Sequence, residues 1–358
     1  MKRIHTTLAG VLLAATALTG VATAKEYKLT VAAGQPTRAI PSLATWNKWA
    51  VPEINKRLKA AGSTNTVAFK EAYAGTLLKP RRVLLGVQDG IADIGYVPAL
   101  FHPDKLPLEQ ISFVTPFCTH DVNQTTKAYN ELFAKLPDMQ KAYSKFNVER
   151  IAGNSIDSYQ FFTSFPFKKV EDLQGKKMAA TGALLDMYKG LGTTTVDSNM
   201  MEYYNSTKTG VYQGFIIFGS ATIPMKYPEA APYVTKANFG AMYTNVIVIN
   251  KDSMKRLPKD VQKVIRDVAT EWEVKGDGAT AGKAKWSFDG AKKAFKDAKF
   301  YELPDAERKK WAMKMPNVAA QWVERMKAKG LPGDKALKIY MDALRAQGVK
   351  CMREWDKS

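Results

Sequence analysis

The sequence predicts an α/β protein with two lobes that are joined by more than one crossover. Short apolar strands alternate with amphipathic helices up to Tyr96, and a similar alternation restarts near Val148. Lys259–Lys299 then continues without proline for about forty residues, which exceeds the roughly 8–20 residues of an ordinary globular helix. We expect this segment to be one long helix that bridges both lobes.

Residues 1–24 have the pattern of a secretory signal peptide. Lys2 and Arg3 precede a stretch rich in alanine and leucine, and Ala22-Thr23-Ala24 supplies the small residues of a cleavage site. The apolar stretch is shorter than the ~20 residues of a membrane-spanning helix, and an uncleaved anchor is the alternative. We expect a mature chain that begins near Lys25, lies outside the cytoplasm and is long enough for two domains.

The first lobe is predicted to begin with the order strand, helix, strand, helix, strand. Alternation and helical spacing place these elements at Tyr27–Ala33, Leu43–Ala61, Val67–Ala72, Leu77–Gln88 and Ile91–Tyr96. Pro52 is expected to kink or split the first helix, because proline lacks a backbone N–H. This order is typical of a domain with a mainly parallel sheet.

The second half of the chain is predicted from the same patterns. Strands are expected at Val148–Asn154, Tyr159–Thr163, Lys177–Ala180, from Val196, at Gly214–Gly219 and at Met242–Asn250. Helices are expected at Ala183–Gly192, Met200–Lys208, Asp305–Met313, Pro316–Lys329 and Lys335–Gln347. Glycines at 276, 278, 282 and 290 weaken the long helix, so two helices broken near Gly276–Gly278 are the alternative to a helix that flexes there.

Composition and charge exclude some classes of protein. Lys and Arg number 53 against 34 Asp and Glu, which gives a net charge of +19 at pH 7. The basic residues are scattered, and the densest run, Arg308–Lys310, has no interleaved aromatic residues, so we expect no nucleic-acid partner. Two cysteines, Cys118 and Cys351, are too few for a disulfide scaffold, although an oxidising compartment permits one bridge between them. Two free thiols are the alternative.

Catalytic and metal-binding motifs are weak in this sequence. Its three histidines are His5, His102 and His120, and no phosphate loop, nucleophile elbow or zinc-ligand spacing is present. Cys118 and His120 could form a nucleophilic pair, but a loop that contains both residues is the simpler interpretation. We therefore expect a binding protein with no cofactor and no metal.

Several short motifs, in order along the chain, together form a family pattern. They are Tyr73–Leu77, Gly86–Gly90, Ala92–Gly95, Pro116-Phe117, Glu171–Met178, Leu191-Gly192, Met200–Tyr204, Gly210–Gly214 and Asn250–Gln262. These motifs resemble those of the DctP-type periplasmic receptors of tripartite ATP-independent periplasmic (TRAP) transporters, and the resemblance covers nearly the whole mature chain.

This resemblance implies a two-lobed periplasmic binding protein with a ligand cleft, hinge crossovers and a long helix spanning both lobes. It implies a receptor in the periplasm, peripheral to the inner membrane, that captures a small organic acid and delivers it to a large and a small TRAP membrane subunit. The expected boundaries are 25–152 plus about 240–285 for lobe 1, 153–239 plus about 286–345 for lobe 2, and a C-terminal tail at 346–358.

The sequence departs from the family pattern where relatives bind the ligand carboxylate. Ala179 stands at the position of the family arginine, whose guanidinium pairs with a carboxylate through two hydrogen bonds. A second family arginine near 159–167 is also missing, and Tyr212–Phe218 is aromatic and aliphatic where relatives are polar. Arg82 stands at an acidic position beside Arg81, so one of these arginines, with Lys177, is expected to replace the clamp. Solvated helix arginines are the alternative.

We therefore expect the ligand to be a small organic acid with an aromatic or otherwise apolar part. The candidate anchors are Arg81, Arg82, Lys177, Glu202 and Asn245, and the candidate apolar walls are Trp46, Tyr96, Tyr159, Phe161, Phe215 and Phe218. The alternatives are a receptor of the same family for C4-dicarboxylates or sugar acids, a secreted enzyme of unknown reaction, and a structural envelope protein.

Overall fold

The computed structural model describes residues 24–357, so the predicted signal peptide lies outside the described residues except for Ala24. Within this range the strands are β1 (Glu26–Ala33), β2 (Thr66–Ala72), β3 (Ile94–Pro98), β4 (Val148–Ile156), β5 (Tyr159–Thr163), β6 (Lys177–Ala180), β7 (Thr194–Asp197), β8 (Gly214–Phe218), β9 (Tyr233–Lys236), β10 (Met242–Asn250) and β11 (Lys299–Glu302). The helices are α1 (Pro41–Thr45), α2 (Val51–Ala60), α3 (Val83–Gln88), α4 (Val122–Lys135), α5 (Pro137–Ser144), α6 (Tyr203–Lys208), α7 (Lys251–Lys255), α8 (Lys259–Ala294), α9 (Asp305–Lys314), α10 (Val318–Ala328) and α11 (Gly333–Ala346).

The strands form two sheets, one in each predicted lobe. The first sheet has the order β2-β1-β3-β10-β4, and the second has the order β11-β9-β5-β8-β6-β7. Both sheets are mixed, because β10 runs antiparallel to β3 and β4, and β5 runs antiparallel to β8 and β9. Only β10 in the first sheet and β5 in the second are reversed, and the other strands of each sheet share one direction. The prediction of a mainly parallel sheet is therefore confirmed.

Two short crossovers lie side by side between the sheets. The first is the dipeptide Asp157-Ser158 between β4 and β5, and the second joins β9 to β10. Gly240 N donates to Ser158 Oγ at 3.0 Å, and Tyr159 N donates to Gly240 O at 3.4 Å. These hydrogen bonds hold the two crossovers together as a narrow hinge region.

Helix α8 is one uninterrupted helix of 36 residues that contacts both lobes. It packs against α1, α2, α4 and β4 on the first lobe and against residues 219–221 on the second. Glu273 accepts hydrogen bonds from Gly153 N at 2.7 Å and from buried Arg150 at 3.1 Å, whereas Ser287 Oγ accepts one from Ile223 N at 3.0 Å. The prediction of a bridging helix is confirmed, and the broken alternative is wrong.

The predicted helix at Leu43–Ala61 is divided as expected near Pro52. A π-helical turn at Trp46–Ala50 separates α1 from α2, and Val51 N donates to Trp46 O, five residues back. Pro52 cannot donate the next hydrogen bond, so the register change falls just before it.

Several predicted elements differ in the structure. Residues 80–88 form a short 3₁₀ turn followed by α3, so the predicted start at Leu77 is too early, because Pro80 begins the helical backbone. Gly182–Tyr188 is 3₁₀ rather than α-helix, and α8 ends before β11. The sequence analysis did not predict α4, α5, β9 or β11.

The C-terminal helices and tail are packed onto the body. Helix α11 contacts α4, and Trp322 of α10 donates to Pro107 O at 3.0 Å, so both helices lie against the first lobe, although the sequence boundaries placed them with the second. Beyond them, Cys351 is bonded to Cys118, and Trp355 is buried and donates to Pro116 O at 2.8 Å. No helix in residues 24–357 is long and apolar enough to cross a membrane.

Candidate functional site

A cavity lies between the two lobes, where several strands of both sheets end. The open space for the centres of water-sized molecules is about 40 Å³. Its lining residues lie at or beyond the ends of β1, β3, β4, β6, β7 and β8, at the start of β5 and in the first half of β10. The carboxyl ends of parallel strands are a common place for ligand sites in α/β folds. The lining residues are Gln35, Ile40, Pro98, Leu100, Phe101, Ile156, Tyr159, Thr181, Leu184, Met200, Ile217, Phe218, Thr244 and Asn245.

Most of the cavity wall is apolar and comes from both lobes. Leu100 and Phe101 face it from the first lobe, and Met200 and Phe218 face it from the second. Tyr159 packs edge-on against Phe218, with ring centroids 5.9 Å apart. Burial raises the pKa of Tyr159 well above its usual value, so this phenol stays neutral. The walls therefore suit a flat apolar group.

Uncharged polar groups interrupt this apolar wall. Gln35 Oε1 and Thr244 Oγ1 are buried, and neither has a hydrogen-bond partner within residues 24–357. Asn245 Nδ2 donates to Ser42 Oγ at 3.2 Å, and Ser42 Oγ is also 3.2 Å from the hydroxyl of Tyr96. Tyr96 is therefore linked to the cavity only through Ser42 and Asn245. No lysine, arginine, aspartate or glutamate is among the lining residues within the described chain.

An ion pair closes one edge of the cavity. Arg81, from the first lobe, donates through Nη2 to both carboxylate oxygens of Asp197 at the end of β7, at 3.0 and 2.8 Å. The Arg81 guanidinium also lies 5.4 Å from the ring centre of Phe101, which lines the cavity. Both partners are about half exposed, so this contact lies at the mouth of the cavity.

The lobes also meet through backbone at this mouth. A Cβ on Gly182 would lie 2.5 Å from Leu100 O, and Gly182 has a φ of +51°. His102 follows this contact, and burial lowers its pKa to about 4, so its imidazole is uncharged at neutral pH. At neutral pH Arg81, rather than His102, therefore supplies positive charge beside Phe101 at this edge.

The structure brings only some of the predicted site residues to the cavity. Tyr159, Phe218 and Asn245 line it, and Arg81 lies at its mouth. Tyr96 is linked to Asn245 through Ser42 but does not line the cavity. Arg82 is exposed without an ion pair in the part of the chain that the structure describes.

The remaining candidates lie away from the cavity. Trp46 is in the core against Trp272, with ring centroids 5.7 Å apart. Phe161 packs on Trp311, and Phe215 stacks on Tyr203. Lys177 begins β6, at the end opposite Thr181, and exposed Glu202 accepts a hydrogen bond from Ser198 at 2.8 Å.

The sequence analysis did not identify several residues that line the cavity. Gln35, Thr181 and Thr244 are the polar ones, and Leu184 and Met200 are apolar ones. Gln35 and Thr181 carried a usable signal, because each is a polar residue just beyond the carboxyl end of a predicted strand.

The structure also bears on the alternative of an enzyme. Cys118 is bonded to Cys351, so it offers no thiolate, and the hypothesis of a Cys118–His120 nucleophile is wrong for this disulfide-bonded structure. Within residues 24–357 no group of three or more His, Cys, Asp and Glu could hold a metal ion.

Two lobes that enclose a cavity between their strand ends define a solute-binding protein of the hinged, two-lobed class. Residues 44–325 match the family model DctP, described as bacterial extracellular solute-binding protein, family 7. The chain belongs to this family, whose members are receptors rather than enzymes.

Solved structures of TRAP solute-binding proteins have the same fold. One from Desulfovibrio salexigens is 23% identical, with a TM-score of 0.74 over 93% of this chain and 98% of that chain. One from Rhodoferax ferrireducens is 20% identical, with a TM-score of 0.76 over 90% and 98%. An extracytoplasmic solute receptor from Bordetella pertussis is 20% identical, with a TM-score of 0.73 over 89% and 99%. The predicted two-lobed fold class is thus confirmed.

Proposed function

We propose that this chain is the periplasmic receptor of a TRAP transporter and that it captures a small organic acid with an aromatic or otherwise apolar part. The observation that carries the proposal is the cavity between the lobes, with apolar walls from both sides and Arg81 at its mouth. In this role the receptor delivers its ligand to a large and a small membrane subunit for uptake.

The ligands of proteins with this fold are consistent with such an acid. The Rhodoferax ferrireducens protein was obtained with copurified benzoate, a Desulfovibrio salexigens protein with orotic acid, and a marine metagenome protein is specific for aromatic acids. Others bind pyroglutamic acid or uronates. The apolar walls of this cavity favour the aromatic group of ligands over the sugar acids.

Arg81 is the residue that we propose for the ligand carboxylate. Its contact with Asp197 uses Nη2, so the Nε and Nη1 hydrogens are not engaged by this ion pair. A guanidinium suits a carboxylate because it can donate two parallel hydrogen bonds. The present cavity has room for a few water molecules at most, so the lobes must separate for the ligand to enter.

Calorimetric titration with two series of acids tests the proposal. We expect benzoate and phenylacetate to bind and to raise the melting temperature, whereas succinate, malate and glucuronate do so weakly or not at all. Stabilisation by C4-dicarboxylates or sugar acids alone would contradict the apolar ligand. Uptake by cells that express both membrane subunits should require this chain.

Three variants test the role of Arg81. Arg81→Gln should weaken binding of the acid at least tenfold, or about 1.4 kcal/mol, because the positive charge is lost. Arg82→Gln is the matched control and should bind normally, since Arg82 has no ion pair within residues 24–357. Asp197→Asn breaks the same ion pair but should not weaken binding of the acid. If Asp197→Asn lowered the affinity as much as Arg81→Gln does, Arg81 would act only through Asp197.

A further inference from the structure

The polar atoms of the cavity fall into two groups. The Thr181 hydroxyl lies 2.6 Å from Ser198 O, to which it donates, and Asn245 Nδ2 is bonded to Ser42. By contrast, Gln35 Oε1 and the Thr244 hydroxyl have no partner within residues 24–357, although both residues are more than nine-tenths buried. Two unpaired polar groups therefore face the same apolar space.

Local backbone structure directs these two side chains to the cavity. Thr244 lies at an irregularity in β10, where Tyr243 pairs with Ser155 and Asn245 pairs with Asn154, so Thr244 has no opposite residue. Such a bulge re-aims a side chain that regular alternation would point elsewhere. Gln35 follows β1, and its carbonyl accepts a hydrogen bond from Ala74 N at 3.0 Å, which fixes the backbone and leaves the amide group free.

We infer that the ligand carries, besides its carboxylate, a hydroxyl or amide group that donates a hydrogen bond to Gln35 Oε1 and accepts one from the Thr244 hydroxyl. This inference rests on the proposed function, which supplies the organic acid. Water can satisfy both side chains in the empty cavity, but an entirely apolar ligand would displace that water and leave them unpaired. Such a site strongly rejects a ligand analogue that lacks the polar group, because the buried polar side chains then stay unpaired. A purely apolar site distinguishes ligands of different size less strongly.

The test compares pairs of acids that differ by one hydroxyl group, such as benzoate with its hydroxybenzoates and phenylacetate with its hydroxyphenylacetates. The wild-type protein should bind the best hydroxylated member of a pair at least tenfold more tightly. In Thr244→Val, which keeps the side-chain shape, and in Gln35→Leu, this preference should fall to less than threefold, with the unsubstituted acid bound at least as well as before.

Two further variants serve as controls. Thr181→Val removes a hydroxyl from the same cavity, but one that is already bonded to Ser198, so it should change the affinities of both acids in a pair equally. Thr244→Ser retains the hydroxyl and should retain the preference, which separates loss of the hydrogen bond from damage to the bulge.

The outcomes distinguish this inference from the proposed function. Equal binding of both members of each pair by the wild type would overturn the inference and leave the organic-acid receptor standing. A preference that survives in both Thr244→Val and Gln35→Leu would also overturn it. If no acid of either kind binds, the proposed function and the inference both fail.

Discussion

Gly182 shows how closely the two lobes approach at the mouth of the cavity. A side chain at this position would meet the carbonyl oxygen of Leu100 on the other lobe. Because the contact is to backbone rather than to a flexible side chain, it cannot be relieved by a rotamer change. The absence of a side chain at Gly182 is therefore needed for the closed form that the structure shows.

Gly182→Ala is expected to prevent full closure. Its Cβ would lie 2.5 Å from Leu100 O, so the lobes must stay apart, and ligand affinity should fall at least tenfold. Small-angle scattering should show that the ligand no longer compacts this variant.

Gly210→Ala is the matched control for this experiment. Gly210 has a φ of +75°, and a Cβ there would meet no heavy atom within 4 Å in the described part of the chain. Alanine in this backbone region costs about 1 kcal/mol of folding stability at either site, but only Gly182 should affect closure. Equal affinities of the two variants would refute the role of Gly182.

Individual site residues were predictable where strand ends could be located. Tyr159, Phe218 and Asn245 were among the predicted site residues, and each lies in a strand that the sequence pattern shows clearly. Thr244 was not, since a bulge reverses the side on which a residue lies and leaves no mark in the alternation. The sequence could not decide which of Arg81 and Arg82 reaches the mouth of the cavity. That choice depends on the backbone around them, which is a 3₁₀ turn rather than the expected α-helix.

Helix α8 is the element that joins the two lobes, and its glycines have different surroundings. A Cβ on Gly276 would collide with the side chain of Asn154 in β4, and it would lie 3.2 Å from Ser42 Cβ. A Cβ on Gly278 would meet no heavy atom within 4 Å among residues 24–357. Gly276 therefore allows the helix to pack closely on the first lobe, and this close packing accounts for it better than the flexing suggested by the sequence.

Single substitutions should separate these two glycines. Gly278→Ala should stabilise the protein by roughly 0.5–1 kcal/mol, because alanine has the higher helix propensity and no contact opposes it. Gly276→Ala should destabilise it by about 1–3 kcal/mol, the usual range for overpacking a core. Urea unfolding of both variants measures these changes in the free energy of unfolding. A stabilised Gly276→Ala would show that Asn154 moves aside without cost.

Strands with a clear residue pattern were predicted at their observed bounds, and short strands were predicted in some cases only. β5 and β10 were placed correctly because their β-branched and aromatic residues end sharply at turn residues. The four-residue strand β6 was also placed correctly, although it contains no such residues. β9 and β11 have four residues each and were not predicted; they pair with each other across a long stretch of chain.

At the scale of the whole molecule, the folding stability depends on buried aspartic acids that resist ionisation. Burial raises the pKa of Asp277 on α8 to about 8 and that of Asp157 in the hinge to about 6. Asp277 accepts a hydrogen bond from Ser155 N at 3.1 Å, and the nearby charges of Glu273 and Asp121 raise its pKa further. The folded protein therefore keeps protons that the unfolded chain releases near pH 4.

The contribution of Asp277 to stability should consequently decrease as the pH rises. Its folded pKa lies above the unfolded value, so this contribution is complete below about pH 4 and is lost as the pH rises to about 8. Asp277→Asn keeps the acceptor oxygen without the charge, and it should remove a slope of up to about 1.4 kcal/mol per pH unit. Urea unfolding at pH 5, 6, 7 and 8 gives this slope.

A control variant on the same helix makes this measurement specific. Asp289 is exposed and paired with Lys285 at 2.9 Å, so Asp289→Asn should leave the slope between pH 5 and pH 8 unchanged. An identical pH dependence in wild type and Asp277→Asn would contradict a protonated Asp277.

The division into two lobes followed from local sequence patterns, but the placement of the last helices did not. α10 and α11 lie against the first lobe because α11 packs on α4, and Trp322 reaches Pro107. These contacts join residues separated by more than 200 positions, and no local pattern reports such a pairing. The lobe boundaries given above therefore remain a proposal.

The ion pair at the mouth of the cavity has a consequence for the empty receptor. Arg81 and Asp197 are each about half exposed, and pairs of this kind contribute about 0–1 kcal/mol. A stronger bond would keep the unoccupied protein shut, and the apparent affinity would fall in proportion to the fraction of molecules that are open. A weak pair keeps that fraction substantial at physiological ionic strength. Lowering the salt concentration should favour shut, unoccupied molecules and slow the capture of ligand.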